Sequence, residues 1–221
     1  MSRLLAKTVL STLALGLMPA CTGLPEYALP TAETIDPSRY QAGDAIRYRQ
    51  LSRADFRAAS PPAQIAAHAS EFGAYTCAVV RADTAEARIS LVRDPASAAF
   101  LARLPDVEYY AEMDRGCSWW NPRSTGVPPE YVLQHEQIHF ALVEIQARSL
   151  AETARGLTGR GHSPEAASSD LQRAHDAAIQ AARRALVERN TRFDEDTSDG
   201  YQPSRQQRWL TRVLAELGQG D

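Results

Sequence analysis

Leu133-Gln134-His135-Glu136-Gln137-Ile138-His139-Phe140 puts two of the chain's five histidines four residues apart, with a glutamate beside the first. Val132, Leu133, Ile138, Leu142, Val143 and Ile145 recur at helical spacing around it, so the stretch reads as one face of a buried helix. Residues i and i+4 of a helix share a face, and two imidazoles so placed reach one tetrahedral zinc ion. Glu136 then lies beside the ion, where a carboxylate serves as general base toward a water whose pKa zinc lowers to about 7. A helix that merely carries two solvated histidines is the alternative reading.

Downstream the pattern stays helical. Pro128-Pro129 opens the helix, since a first-turn proline lacks only an N–H that had no partner. The helix is expected to run to Arg155 and stop at Gly156. Residues 156–162 read as a glycine-rich loop. Ser163-Pro164-Glu165 starts a second helix, with Ser163 as N-cap. Leu171, Ala174, Ala178, Ala182 and Ala185 give it a small-residue face for close helix packing, and it is expected to fray near Asp194. Pro203 to Leu217 reads as a last helix.

Upstream the period changes to two. Residues 74–80 read as a strand, 87–92 as its hairpin partner, and 107–113 as a third strand closed by Cys117 to Pro122. Residues 52–70 are alanine-rich and read as helix, broken by Pro61-Pro62. The class is therefore α+β, a small antiparallel sheet followed by a long helical hairpin carrying the two histidines.

The N-terminus reads as a targeting segment over 1–20. Arg3 and Lys7 are its basic region, Val9 to Leu17 a short apolar run, and Ala20-Cys21 a processing site like that of bacterial lipoproteins. Cys21 is the expected lipidation site. An ordinary signal peptide cut near Ala20 is the alternative. Thr22 follows the cysteine, and the lipoprotein resemblance then implies a periplasm-facing place at the outer membrane. Residues 21–50 read as a tether. The other two cysteines, Cys77 and Cys117, are expected to pair in that oxidising compartment rather than stay as buried thiols. A net charge of −3 over 221 residues offers no electrostatic footprint for nucleic acid.

Zinc needs a third protein ligand, and the first helix does not offer one on the right face. His162, Glu165, His175, Glu188, Asp194 and Asp199 are candidates. Carboxylates concentrate in 192–201, at a helix C-terminus where the dipole disfavours them unless something positive is near.

Ser118-Trp119, His135-Glu136-Gln137-x-His139-Phe140 and Phe193-Asp194-x-x-Thr197-x-Asp199-Gly200 together resemble an uncharacterised bacterial family of secreted zinc peptidases, over about residues 70–210. Its members show S-W, H-E-Q-G-H-F and Y-D-x-x-T-x-H-G. This chain has Ile138 for the glycine, Phe193 for the tyrosine and Asp199 for the last histidine. The resemblance implies a zincin-like metallopeptidase domain over 51–221 and a peptide or protein substrate. It also implies Zn2+ held by His135, His139 and Asp199, with Glu136 catalytic. Asp194 is the runner-up ligand, or an outer partner of a ligand histidine. Residues 107–113 are expected to offer a strand edge to an extended substrate, with Tyr131, Tyr201 or Arg205 as oxyanion donor. A non-catalytic envelope lipoprotein with a structural or vestigial metal site is the competing reading. Hydrolysis of a peptidoglycan amide would use the same residues.

Overall fold

The computed structural model describes residues 44–63, 65–84, 87–104, 107–124, 126–197 and 202–218. The targeting segment, Cys21, most of the tether, Asp199 and Tyr201 lie outside the described residues. The fold is α+β, with small antiparallel sheets and long helices.

The first sheet has strand order β1 (Ala45–Arg47), β6 (Glu108–Asp114), β3 (Ala78–Asp83). Tyr109, Ala111 and Met113 of β6 alternate inward and are buried, the period-two pattern of a sheet with one face on a core. β1 draws the last residues of the expected tether into the domain, paired Ile46 to Met113. β6 is thus central, flanked on both sides, and cannot present the substrate-facing edge expected of 107–113. The free edge on that sheet's far side belongs to β3.

The expected hairpin between 74–80 and 87–92 does not form. The first stretch splits into β2 (Ala74–Tyr75) and β3, and β3 pairs with β6 from Ala78–Met113 to Asp83–Glu108. β2 pairs with β7 (Trp119–Trp120). β4 (Ser90–Arg93) pairs instead with β5 (Phe100–Arg103), whose other neighbour is β8 (Thr158–Gly161). All four β4 residues are exposed, so this strand has no face to seat on the core.

β8 occupies what reads as a glycine-rich loop. The glycines serve close packing: a Cβ on Gly159 would fall onto the carbonyl of Ala167 and the amide of Leu171. Residues 52–70 are not a continuous helix but two 3-10 segments, Arg53–Asp55 and Ala66–Glu71. Pro61-Pro62 removes two N–H donors between them, and the Asp55 carboxylate takes both the amide and the hydroxyl of Ser52.

The helices follow the expected bounds closely: α1 (Pro129–Gly156), α2 (Pro164–Thr197) and α3 (Pro203–Gly218). Ser163 Oγ accepts from Ala166 N and caps α2. α1 is the central element, buried nearly all round between His135 and Val143. β6 and β3 lie against it, as do α2 and α3. α3 buries Gln206, Trp209, Leu210, Val213 and Leu217, a single stripe at helical spacing. Fully buried Gln137 accepts from Leu51 N at 2.7 Å and donates to Arg49 O at 3.2 Å, which locks the segment after β1 onto α1.

Candidate metal centre

His135 and His139 leave α1 on the face that α2 covers. From α2 comes Asp194, and the three side chains converge. His139 Nε2 is 2.9 Å from Asp194 Oδ1, His135 Nε2 is 3.3 Å from the same oxygen, and the two nitrogens are 3.1 Å apart. Tetrahedral zinc with bonds of about 2.1 Å holds its ligand atoms roughly 3.3 Å from one another. The triangle therefore already has nearly the size of a ligand set.

Asp194 Oδ1 carries the informative detail. It is shut off from solvent and has no aligned hydrogen-bond donor, although both imidazole nitrogens are close. A buried carboxylate oxygen needs a positive partner there, either a protonated imidazole or a cation. The three ligand-type atoms lie close enough together to share one ion. Two imidazole nitrogens and one carboxylate oxygen are also the donor chemistry of catalytic zinc sites. These residues fit a divalent ion.

The supports are specific. His139 Nδ1 lies 2.6 Å from Asn190 Oδ1, and Asn190 Nδ2 donates to Leu186 O at 2.9 Å. With the amide so fixed, its oxygen faces the ring and Nδ1 carries a proton, so in the neutral ring the Nε2 lone pair is directed at the site. Phe193 stacks on His135 at 4.5 Å and meets His139 edge-on at 4.9 Å. His135 Nδ1 is buried without a partner, so packing against Phe193 orients that ring.

In the metal-free chain the same atoms form an ion pair. Burial pushes the His139 pKa down, but the Asp194 carboxylate, the Glu136 charge and the Asn190 bond outweigh it and raise it to about 9. Burial likewise pushes Asp194 up, and the two imidazoles outweigh that and hold it well below the usual carboxylate range.

Glu136 is buried beside His135, and its Oε2 accepts from Thr76 Oγ1 at 2.6 Å. Thr76 sits between β2 and β3, next to Cys77. The Cys77–Cys117 disulfide is present, with Cα atoms 5.8 Å apart. Cys77 N also donates to buried Ser118 Oγ, which donates to Asp114 O. The segment that delivers Thr76 is thus fastened from three directions. A hollow of about 360 Å³ opens on Glu136, His135, His139 and Asp194, walled by Phe72 to Thr76 and by Val132, Val143, Leu186 and Val187.

His135, Glu136 and His139 come together as the sequence implies, and Asp194, the runner-up, completes the group. Asp199 lies outside the described residues. His175 is bonded to Tyr109 at 2.6 Å, and His162 lines a separate hollow beside Arg160. Arg205 donates to Asp196 O, the Tyr131 carbonyl accepts from Gln206, and neither side chain lines the cleft. Asn190 and Thr76 escape the sequence reading. Asn190 had a signal, standing one helical turn before Asp194; Thr76 had only its adjacency to Cys77. Comparison with family models, with curated proteins and with solved structures finds no match.

Proposed function

We propose that this chain is a zinc-dependent metallopeptidase of the bacterial cell envelope with a zincin-like domain, tethered at the outer membrane through Cys21. The observation that carries the reading is the convergence of the buried Asp194 Oδ1 with two imidazole nitrogens, beside an acidic residue that is not part of the triangle.

When bound, zinc supplies Lewis acidity, which acidifies a water and polarises a carbonyl. His135, His139 and Asp194 would hold it. Asn190 keeps the proton of His139 on Nδ1, away from the ion. Glu136 is fixed through Oε2 by Thr76, so Oε1 is left to take a proton from an attacking water and pass it to the departing amine nitrogen. The apolar cleft walls exclude water around that transfer. Among the described lining residues there is no lysine or arginine, so beyond its two histidines the cleft offers no cation to anchor a terminal carboxylate, which favours cleavage within a chain. Residues 74–78 and the free edge of β3 run beside the cleft, where an extended peptide adds by main-chain hydrogen bonds.

Three protein donors facing a hollow favour this reading over a closed structural site. The test is metal content of the purified chain together with hydrolysis of fluorescein-labelled casein. One zinc per chain and hydrolysis that is lost in Glu136→Gln are expected. Stoichiometric zinc without hydrolysis would support the non-catalytic envelope reading instead.

A further inference from the structure

The sheet β4–β5–β8 carries a patch that the cleft chemistry does not use. β4 is an edge strand, and Leu91 and Val92 are 45% and 58% exposed. Successive strand residues point to opposite faces, so the edge is apolar on both. Ile89, just before it, is 41% exposed. Leu91 pairs with fully buried Ala102 but lies beyond the cover that α2 gives that residue. Around these aliphatics stand Arg88, Arg93 and Arg103, all exposed and none with a carboxylate partner among the described residues. Arg160 of β8 has only Asp94, at 3.7 Å. The turn is tight, with Asp94 N donating to Ala99 O at 2.7 Å and Ser97 Oγ to the Asp94 carboxylate, so the hairpin's shape is set in advance.

Exposed edges are usually guarded against wrong pairing, and apolar groups clustered on a surface mark a contact. A docking peptide strand needs the backbone edge and one apolar face. This edge has aliphatics on both faces and, beside them, guanidinium groups without a carboxylate partner among the described residues. That combination suits a bilayer: the aliphatics enter the headgroup boundary, while arginine stems extend and keep their charge at phosphate level. We propose that the β4–β5 hairpin docks on a membrane surface carrying anionic headgroups. The contact is peripheral, since no helix among the described residues is long and apolar enough to cross a membrane. It is independent of the metal centre and of any lipid on Cys21.

The test is local, so that attachment elsewhere does not obscure it. The full chain is placed on vesicles of phosphatidylcholine alone, or of phosphatidylcholine with phosphatidylglycerol, and amide hydrogen exchange is followed by mass spectrometry. Each basic residue near an anionic surface contributes about fivefold to the contact, so three exposed arginines contribute roughly 100-fold. Peptides spanning 88–93 and 100–103 are expected to exchange at least several-fold more slowly on the anionic vesicles at low salt, with the difference lost at high salt. Leu91→Ser with Val92→Ser, and separately Arg88→Ser with Arg93→Ser, should abolish that protection while α1 exchanges as in the wild type. Equal exchange on both vesicles would overturn the proposal and leave the edge to a protein strand. So would protection that survives both double substitutions.

Discussion

Asp194→Asn replaces one oxygen by an amide at nearly constant volume, and it tests the centre with and without metal. In the metal-free chain Asp194, with smaller help from Glu136 and Asn190, raises His139 from 6.5 to about 9. At about 1.4 kcal/mol per unit, the share of Asp194 is about 3.5 kcal/mol at most. Because the folded pKa is raised, this stability is fully present below about pH 6.5 and is lost as pH rises through 9. Asp194 is lowered, so its share is present above the ordinary carboxylate range and is lost as pH falls. The wild type should therefore exceed Asp194→Asn most between about pH 4 and 6.5, and not at all by about pH 10. For a domain of this size about 3.5 kcal/mol corresponds to roughly 7–14 °C in Tm at most. With metal the sign of the pH effect reverses. An ion must displace the His139 proton, so zinc affinity should climb by up to about tenfold per pH unit until pH reaches about 9. The substitution should weaken zinc by at least about 100-fold, more than loss of an outer partner usually costs. Thermal melts across pH after chelation, and competition titration with a zinc-binding dye, measure the two halves. Wild-type zinc affinity in Asp194→Asn, together with a Tm difference that does not change with pH, would refute the assignment of Asp194 and the argument from its buried oxygen.

Glu136→Gln should keep one zinc per chain and lose casein hydrolysis, whereas His139→Ala should lose both; equal metal loss in the two would mean that Glu136 is a ligand rather than a base. Asn190→Leu frees the His139 tautomer and should lower zinc affinity about 10–100-fold, read by the same dye titration. Replacing Cys77 and Cys117 by serine opens a loop spanning 40 residues, which costs about 4 kcal/mol in the chain-entropy view; urea unfolding of the variant should match the reduced wild type. Cys21→Ala should move the chain from the membrane pellet to the soluble fraction if processing still occurs.

The helices were legible because each carries its own local signals. Pro128-Pro129 and Ser163-Pro164 mark the starts, and α3 writes its apolar stripe at a single spacing. The strands were less legible because pairing is not local. Nothing within residues 74–92 says that β3 will choose β6 thirty residues away over the nearer β4. That choice follows from what α1 can cover: β6 offers Tyr109, Ala111 and Met113 on one face, while β4 offers only exposed residues. The glycines at 159 and 161 read as loop residues because sequence does not display a neighbouring backbone. Here they are where β8 runs against α2.

The third candidate donor was the harder question, and helix phase bears on it. Family resemblance ranks Asp199 first, on the strength of a histidine that this chain lacks. The period of α2 supports Asp194. Leu186, Asn190, Phe193, Asp194 and Thr197 fall at offsets of four, seven, eight and eleven, one continuous face of a 3.6-residue helix. That face must meet α1, because Phe193 and Thr197 are fully buried and Leu186 packs against both cores. Any polar residue in phase with them is carried to the same seam as His135 and His139, and only a residue with a partner there can stay charged. Asn190 and Asp194 are those residues. The neighbouring carboxylates out of phase have other fates: Asp196 accepts from Trp209 Nε1 at 2.9 Å, and Glu195 is solvated. Among the described residues of the acidic run, 194–196 are thus sorted by their own periodicity: one carboxylate meets the two imidazoles, one ties down α3, and one is left in water.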